Sequence, residues 1–170
     1  NWRYEEAFVR AAELMRRGAI GRPIAAHWAQ YTPMNAANKY YGTPWRRAGE
    51  FAGGLLLDGG VHYVAVLRML LGEIAAVSAE VTQAQSGLPP ADTMTASIRF
   101  ESGVLAAYLC TFAAGAPGAA SLTVAGSQGS LRAERGRVEW TDAAGATQVI
   151  DCGRYTGVRD ELAAFAQAVL

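Results

Sequence analysis

Thr93-Met94-Thr95-Ala96-Ser97-Ile98-Arg99-Phe100-Glu101-Ser102-Gly103-Val104-Leu105-Ala106-Ala107-Tyr108-Leu109-Cys110-Thr111-Phe112 decides the fold class. Its first eight residues alternate, with Met94, Ala96, Ile98 and Phe100 on one side and Thr93, Thr95, Ser97 and Arg99 on the other. That period of two belongs to a strand with one face in a core. Glu101-Ser102-Gly103 is a hairpin turn, and Val104 to Phe112 is the returning strand. Outward from this hairpin the pattern repeats. Ile74 to Gln83 precedes it as a strand, across a loop at Gly87-Leu88-Pro89-Pro90-Ala91. Ala119 to Ala125, Gly129 to Glu134, Arg137 to Trp140 and Thr147 to Ile150 follow as shorter strands with Gly-containing turns. Consecutive strands joined by short turns predict a mostly antiparallel sheet.

Helical patterns flank this β region. Residues 5 to 17 carry an apolar stripe of Phe8, Ala11, Ala12, Leu14 and Met15, with acids early and bases late, as the helix dipole favours. Gly18 and Gly21 end that helix, and Ile24 to Tyr31 read as a strand. Residues 32 to 52 read as a long irregular loop rich in aromatic, amide and basic side chains, a kind of segment that is usually functional or mobile. Gly53-Gly54 open a second helix that runs to about Leu71, and a last helix begins near residue 158. The expected class is α+β: a large open sheet with helices on one face. Its other face carries small and hydroxylated residues, and such a face is either solvated or covered by a partner; we expect a second copy of the chain.

Composition narrows the function classes. Half of the residues are hydrophobic (51%) and 18% are charged, which is globular rather than disordered. Fifteen basic residues balance fifteen acidic ones without a basic stripe, so nucleic acid is not the expected partner. No uninterrupted apolar run approaches the ~20 residues of a membrane span. Cys110 and Cys152 lack metal-ligand spacing; free buried thiols in a reducing, cytoplasmic setting are expected, with a disulfide as the other option. The chain starts at Asn1 and stops at Leu170, each inside a helical pattern, so residues 1–170 are expected to be an excised or partly observed domain.

The densest chemistry lies in Gly53-Gly54-Leu55-Leu56-Leu57-Asp58-Gly59-Gly60-Val61-His62. Asp58 and His62 are spaced i, i+4 and share a helix face. A carboxylate beside an imidazole raises its pKa and fixes its tautomer, an arrangement suited to a general base. Gly59 and Gly60 leave room for a ligand. A plainer interpretation fits equally: an aspartate near a helix start complements the dipole, and a histidine nearby is a satisfied structural group. His27, inside the first strand, reads as a half-buried sheet histidine. Trp45, Arg46 and Arg47 fit an anionic or sugar-like ligand, and fit as well a surface turn capped by an aromatic; the pair Tyr40-Tyr41 has the same two readings. With two histidines and no third ligand in register, no metal site is expected. Gly126-Ser127-Gln128-Gly129 reads as a β-turn rather than a phosphate loop, and no GxGxxG dinucleotide fingerprint is present.

At these residues the sequence resembles the Gfo/Idh/MocA oxidoreductase family, which includes glucose–fructose oxidoreductase and inositol dehydrogenase. Asn1-Trp2-Arg3-Tyr4 with Phe8 and Gly18-Ala19-Ile20-Gly21 looks like the first helix of the family's C-terminal domain and its exit turn. Trp45-Arg46, then Gly53-Gly54-x-x-x-Asp58-x-Gly60-x-His62, then the turn at 126–129 follow in the family's order. The resemblance covers the chain as a C-terminal α+β domain alone, without the N-terminal Rossmann domain. It implies that His62 takes the proton of a substrate hydroxyl during hydride transfer to NAD or NADP, and that Asp58 orients substrate and histidine. It further implies that Arg3, Tyr41, Trp45 and Arg46 border the substrate. The family's lysine, from a Glu-Lys-Pro motif, has no counterpart here. The implied activity is an NAD(P)-dependent dehydrogenase acting on a sugar, polyol or similar hydroxylated molecule, with this domain inactive by itself and homo-oligomeric through its open sheet. One departure stands out: the family often has aspartate three residues after the histidine, and this chain has Ala65. The alternative is therefore a non-catalytic ligand-binding and dimerisation or regulatory module of the same fold.

Overall fold

The computed structural model describes residues 1–170. A 3-10 turn at Trp2–Tyr4 leads into α1 (Glu6–Arg16), β1 (Pro23–Tyr31), α2 (Pro44–Ala48) and α3 (Gly54–Leu71). Then come β2 (Ile74–Thr82), β3 (Thr93–Phe100), β4 (Leu105–Thr111), β5 (Ala120–Gly126), β6 (Gly129–Glu134), β7 (Arg137–Asp142), β8 (Thr147–Asp151) and α4 (Gly157–Val169). The class is α+β, as expected. Eight strands form one open sheet in the order β2-β3-β4-β1-β5-β6-β7-β8. Every pairing is antiparallel except β1 with β4, which run parallel. The insertion of β1 between β4 and β5 is invisible to a reading of neighbouring turns, because it joins segments some 80 residues apart, such as Ala26 with Ala106.

One face of the sheet carries the core. Trp28, Ile98, Phe100, Tyr108, Leu122, Val124, Leu131 and Val138 are buried there together with Phe8 and Ala11 of α1 and Leu55, Val66 and Leu67 of α3. α1 stops where Gly18 adopts φ +76, a left-handed conformation that glycine takes at little cost. α3 is long and apolar enough by length and composition to cross a membrane, but half of it is buried inside the fold, so it serves as the core helix. The opposite face is bare: Ala25, His27, Thr95, Ser97, Arg99, Leu105 and Ala107 are exposed. His27 is thus not half-buried as its strand position predicted; it projects from the central strand on the uncovered side.

The segment 32–52 is less irregular than its composition suggested. Pro44 begins the short helix α2, whose end is Gly49 at φ +75. Proline at a helix start and glycine at its stop are ordinary signals, here separated by too few residues to show a period. Asp92 anchors the loop before β3. It is fully buried, and its carboxylate accepts the backbone N–H of Ala84 (2.9 Å), that of Gln85 (2.8 Å) and the Thr93 hydroxyl (2.9 Å). Both cysteines are free thiols. α4 packs on the N-terminal turn, with Gly157 against the Asn1 carbonyl and the Glu5 carboxylate, and leaves Val158, Leu162, Phe165 and Val169 exposed along one stripe.

Candidate active site on helix α3

Asp58 and His62 lie on the N-terminal half of α3, one turn apart. They are not bonded to each other; each has a separate partner. Asp58 accepts a hydrogen bond from Arg46 Nε at 2.9 Å on Oδ2, and Arg46 Nη2 forms an ion pair with the same oxygen at 2.8 Å. Oδ1 takes no hydrogen bond within the chain. Arg46 is held over the rings of Trp45 (4.2 Å to the centroid) and Tyr40 (4.9 Å). The dipole account of Asp58 does not apply, because the first turn of α3 contains no acidic residue and Asp58 lies beyond it. Asp58 borders an open cleft of about 530 Å³ with Trp45, Phe51, Leu57 and Val61.

His62 stacks on Trp2, with ring centroids 6.4 Å apart and planes 14° apart. Trp2 in turn packs on Phe8, Trp28 and Tyr63. Burial in this aromatic cluster lowers the pKa of His62, and the charge of Asp58 opposes that shift without reversing it. The expected net rise of the imidazole pKa is therefore corrected: Asp58 does pull it upward, but loss of water around the ring is the larger effect. Burial thus favours the neutral form of the ring.

Of the two glycines beside the pair, Gly59 differs from its expected role, whereas Gly60 borders the apolar groove beside α3. A Cβ on Gly59 would lie 2.6 Å from Phe112 Cζ, and one on Gly60 would touch Tyr108 Oη at 3.7 Å. The space at Gly59 is filled by the sheet, so this glycine lets α3 sit down on β4 rather than admit a ligand. Of the other residues implied in substrate contact, Trp45 and Arg46 do converge on Asp58. Arg3 is exposed without a hydrogen bond or ion pair in the chain; its neighbour Trp2 is the residue against His62. Tyr41 stacks under Arg47 at 4.7 Å and approaches Gly87, whereas Tyr40 takes the place beside Arg46. Trp2 and Tyr40 thus belong to the site. In the sequence Trp2 stood only within the block Asn1-Trp2-Arg3-Tyr4 and Tyr40 only within the pair Tyr40-Tyr41, and aromatic character by itself did not single either out. Ala65 lines an apolar groove on the β2 side of α3, with Val61, Val64, Val81 and Met94. No group of three or more His, Cys, Asp or Glu is placed to hold a metal ion, and burial pushes the Cys110 thiol up to about 11, far from a reactive thiolate.

An open eight-stranded sheet carrying one long helix, with a carboxylate and an imidazole on successive turns of it, defines an α+β domain of a recognisable class. The GFO/IDH/MocA C-terminal domain matches residues 8–132, and the chain belongs to that family. The chain is 32% identical to the dehydrogenase FPY6 of Fusarium mangiferae over its whole length, covering 51% of that protein. The solved structure of an oxidoreductase from Thermotoga maritima superposes with a TM-score of 0.88 at 28% identity, over 99% of this chain and 50% of that one. Levoglucosan dehydrogenase, solved with NADH and levoglucosan, shares the fold with a TM-score of 0.76 at 23% identity, over 88% of this chain and 45% of that one. The chain thus spans about half the length of these relatives.

Proposed function

We propose that this chain is the substrate-binding half of a nicotinamide-dependent oxidoreductase that acts on a sugar, polyol or similar hydroxylated small molecule. The observation that carries this reading is the division of labour on α3: His62 lies half-buried on Trp2, where burial favours its neutral form, and Asp58 is held by Arg46 through one oxygen with the other unpartnered. A neutral imidazole accepts a proton, so His62 takes the hydroxyl proton as the substrate carbon is oxidised. Asp58 Oδ1 accepts a hydrogen bond from a substrate hydroxyl and orients it, while Trp45 and Phe51 give the sugar an apolar wall. Membership of a family of dehydrogenases, and relatives named for sugars such as levoglucosan and D-apiose, support the class of reaction and of substrate.

The chain has no Gly-rich strand–turn–helix, so its own residues do not fit a dinucleotide; NAD or NADP would be held by sequence outside these residues, and the share of the chemistry assigned to this chain is substrate binding and proton transfer. The 170 residues alone should accordingly turn nothing over. The test is His62→Ala in the complete protein. General-base catalysis is worth about 10²–10⁴-fold, and an unchanged kcat/KM would refute the role and favour a non-catalytic binding module. The bare face of the sheet, we further infer, pairs with a second copy of the chain.

A further inference from the structure

The sheet ends at β2, whose single neighbour is β3, so the other edge of β2 presents unpaired backbone N–H and C=O groups along Ile74–Thr82. Ile74 is half-buried and the eight residues after it are exposed. The register with β3 tells the two faces apart. Val77 lies opposite the buried Ile98, so Val77, Ala79 and Val81 point to the helix side. There α3 packs over β3 and β4 and leaves Val77 and Val81 open, 56% and 55% exposed on what is elsewhere the core face. Ala76, Ser78 and Glu80 point to the bare face, beside Arg99, Ser97 and Thr95. Edge strands are commonly guarded by shortness, lysine, proline or a bulge. β2 has nine residues, no lysine or proline, and a register shift only at its start, between Ile74 and Ala76.

Such an edge is satisfied by another strand, and symmetry limits which. Antiparallel pairing of β2 with β2 of a second copy closes about a two-fold axis, whereas pairing with the opposite edge, β8, runs on into rings or filaments. The two-fold stands perpendicular to the sheet, so each face of one copy continues into the same face of the other. Charge selects the register. Glu80 and Arg99 are exposed on the bare face, and neither has a hydrogen bond or ion pair within the chain. There they are four residues out of step, Glu80 facing Thr95 and Arg99 facing Ala76. With Ser78 on the axis, Glu80 of one copy lies opposite Ala76 of the other. It is then in line with that copy's Arg99, two strand spacings or about 10 Å away, a gap the two side chains span. The two-fold forms this pair twice. On the helix side Val77 lies opposite Ala79 of the second copy. A register with Glu80 on the axis would set two carboxylates against each other, which is unfavourable.

We propose that the β2 edge is an interface with a second copy of this chain, paired antiparallel about a two-fold at Ser78, so that two sheets join into one. Glu80 and Arg99 exchange partners across it and set its register. This contact extends the sheet edge to edge and is separate from the pairing of copies through the bare face, where sheets stack. It does not rest on the reaction proposed for α3.

The test is cross-linking of the complete protein carrying Ser78→Cys. On the axis this residue faces itself with Cα atoms about 4.5–5.5 Å apart, a separation that a disulfide spans. The native thiols, Cys110 and Cys152, are buried. Oxidation with copper phenanthroline should convert Ser78→Cys into a covalent dimer on a non-reducing gel. Ala76→Cys, whose two copies lie about 13 Å apart along the strands in this register, should run as single chains. Glu80→Arg or Arg99→Glu, added to Ser78→Cys, should weaken association about tenfold, since each turns two attractions into two repulsions. The double reversal should restore it. Leu105→Arg, which alters the bare face, should leave the cross-link in place. Circular dichroism establishes that each variant is folded. Absence of a covalent dimer in Ser78→Cys would overturn the proposal, as would equal cross-linking at positions 76 and 78. So would a double reversal that fails to restore association, or loss of the cross-link in Leu105→Arg, which would move the contact to the bare face.

Discussion

Arg46 brings two nitrogens, Nε at 2.9 Å and Nη2 at 2.8 Å, onto a single oxygen of Asp58. The side chains are 15% and 32% exposed, so water screens the pair, and its worth to folding stability is about 1 kcal/mol or less. Its larger consequence is positional: Arg46 holds the carboxylate through Oδ2 and leaves Oδ1 without a partner in the chain. In the complete protein, Arg46→Ala should lower kcat/KM about tenfold or more, the range of a hydrogen bond to a charged group. Arg46→Lys should recover only part of this, since an ammonium lacks the fork. Unaltered steady-state kinetics in Arg46→Ala would assign the pair to the fold alone.

The depressed pKa of His62 sets the pH dependence of activity. Burial favours the neutral ring, so the acid limb of the kcat/KM profile should lie below the ordinary histidine range near 6.5, with full activity retained through pH 7. Removing the stacking partner with Trp2→Ala admits water to the ring and should move that limb upward, towards the value of a solvated histidine. A limb that stays in place would mean that another group titrates.

Gly59 separates helix propensity from packing. Alanine is favoured over glycine within a helix by about 1 kcal/mol, so Gly59→Ala would stabilise α3 were the space free. The added Cβ meets Phe112 Cζ at 2.6 Å, and Phe112 is buried. Overpacking costs about 1–3 kcal/mol. Urea unfolding should therefore show net destabilisation, relieved in the double variant with Phe112→Leu.

Asp92 secures the loop that carries Pro89 and Pro90 beside Gly54, where α3 begins. Asp92→Ala removes the charged acceptor of the Ala84 and Gln85 backbone N–H groups and of the Thr93 hydroxyl, hydrogen bonds worth about 1.5–3 kcal/mol each. Thermal unfolding should shift down markedly. Asp92→Asn, which can still accept one of these bonds, should lie between the two.

The proposed pairing of copies through the bare sheet face has a direct test in sedimentation. Leu105 and Ala107 project from β4 on that face, beside Ala25 and His27 of β1. Leu105→Arg should shift the protein towards monomer at concentrations where the unaltered chain associates; a chain that is strictly monomeric before substitution would refute the interface.

Local pattern determined much of this protein. Alternation over Thr93–Phe100 placed β3 with its observed bounds and its buried side, since the period of two acts residue by residue. The stripe of Phe8, Ala11 and Ala12 likewise predicted the buried side of α1, and the i, i+4 spacing put Asp58 and His62 on one face of α3. What only the tertiary structure decided depends on contacts between distant segments. Short range cannot reveal that β1 enters the sheet between β4 and β5, because the pairing of Ala26 with Ala106 and Val124 leaves no mark within any one segment. Nor can it show that Gly59 is vacated for Phe112, or that Asp58 answers to Arg46 instead of His62. The same holds for the imidazole: its neighbour in sequence suggested a raised pKa, and its neighbour in space, Trp2, lowers it by excluding water.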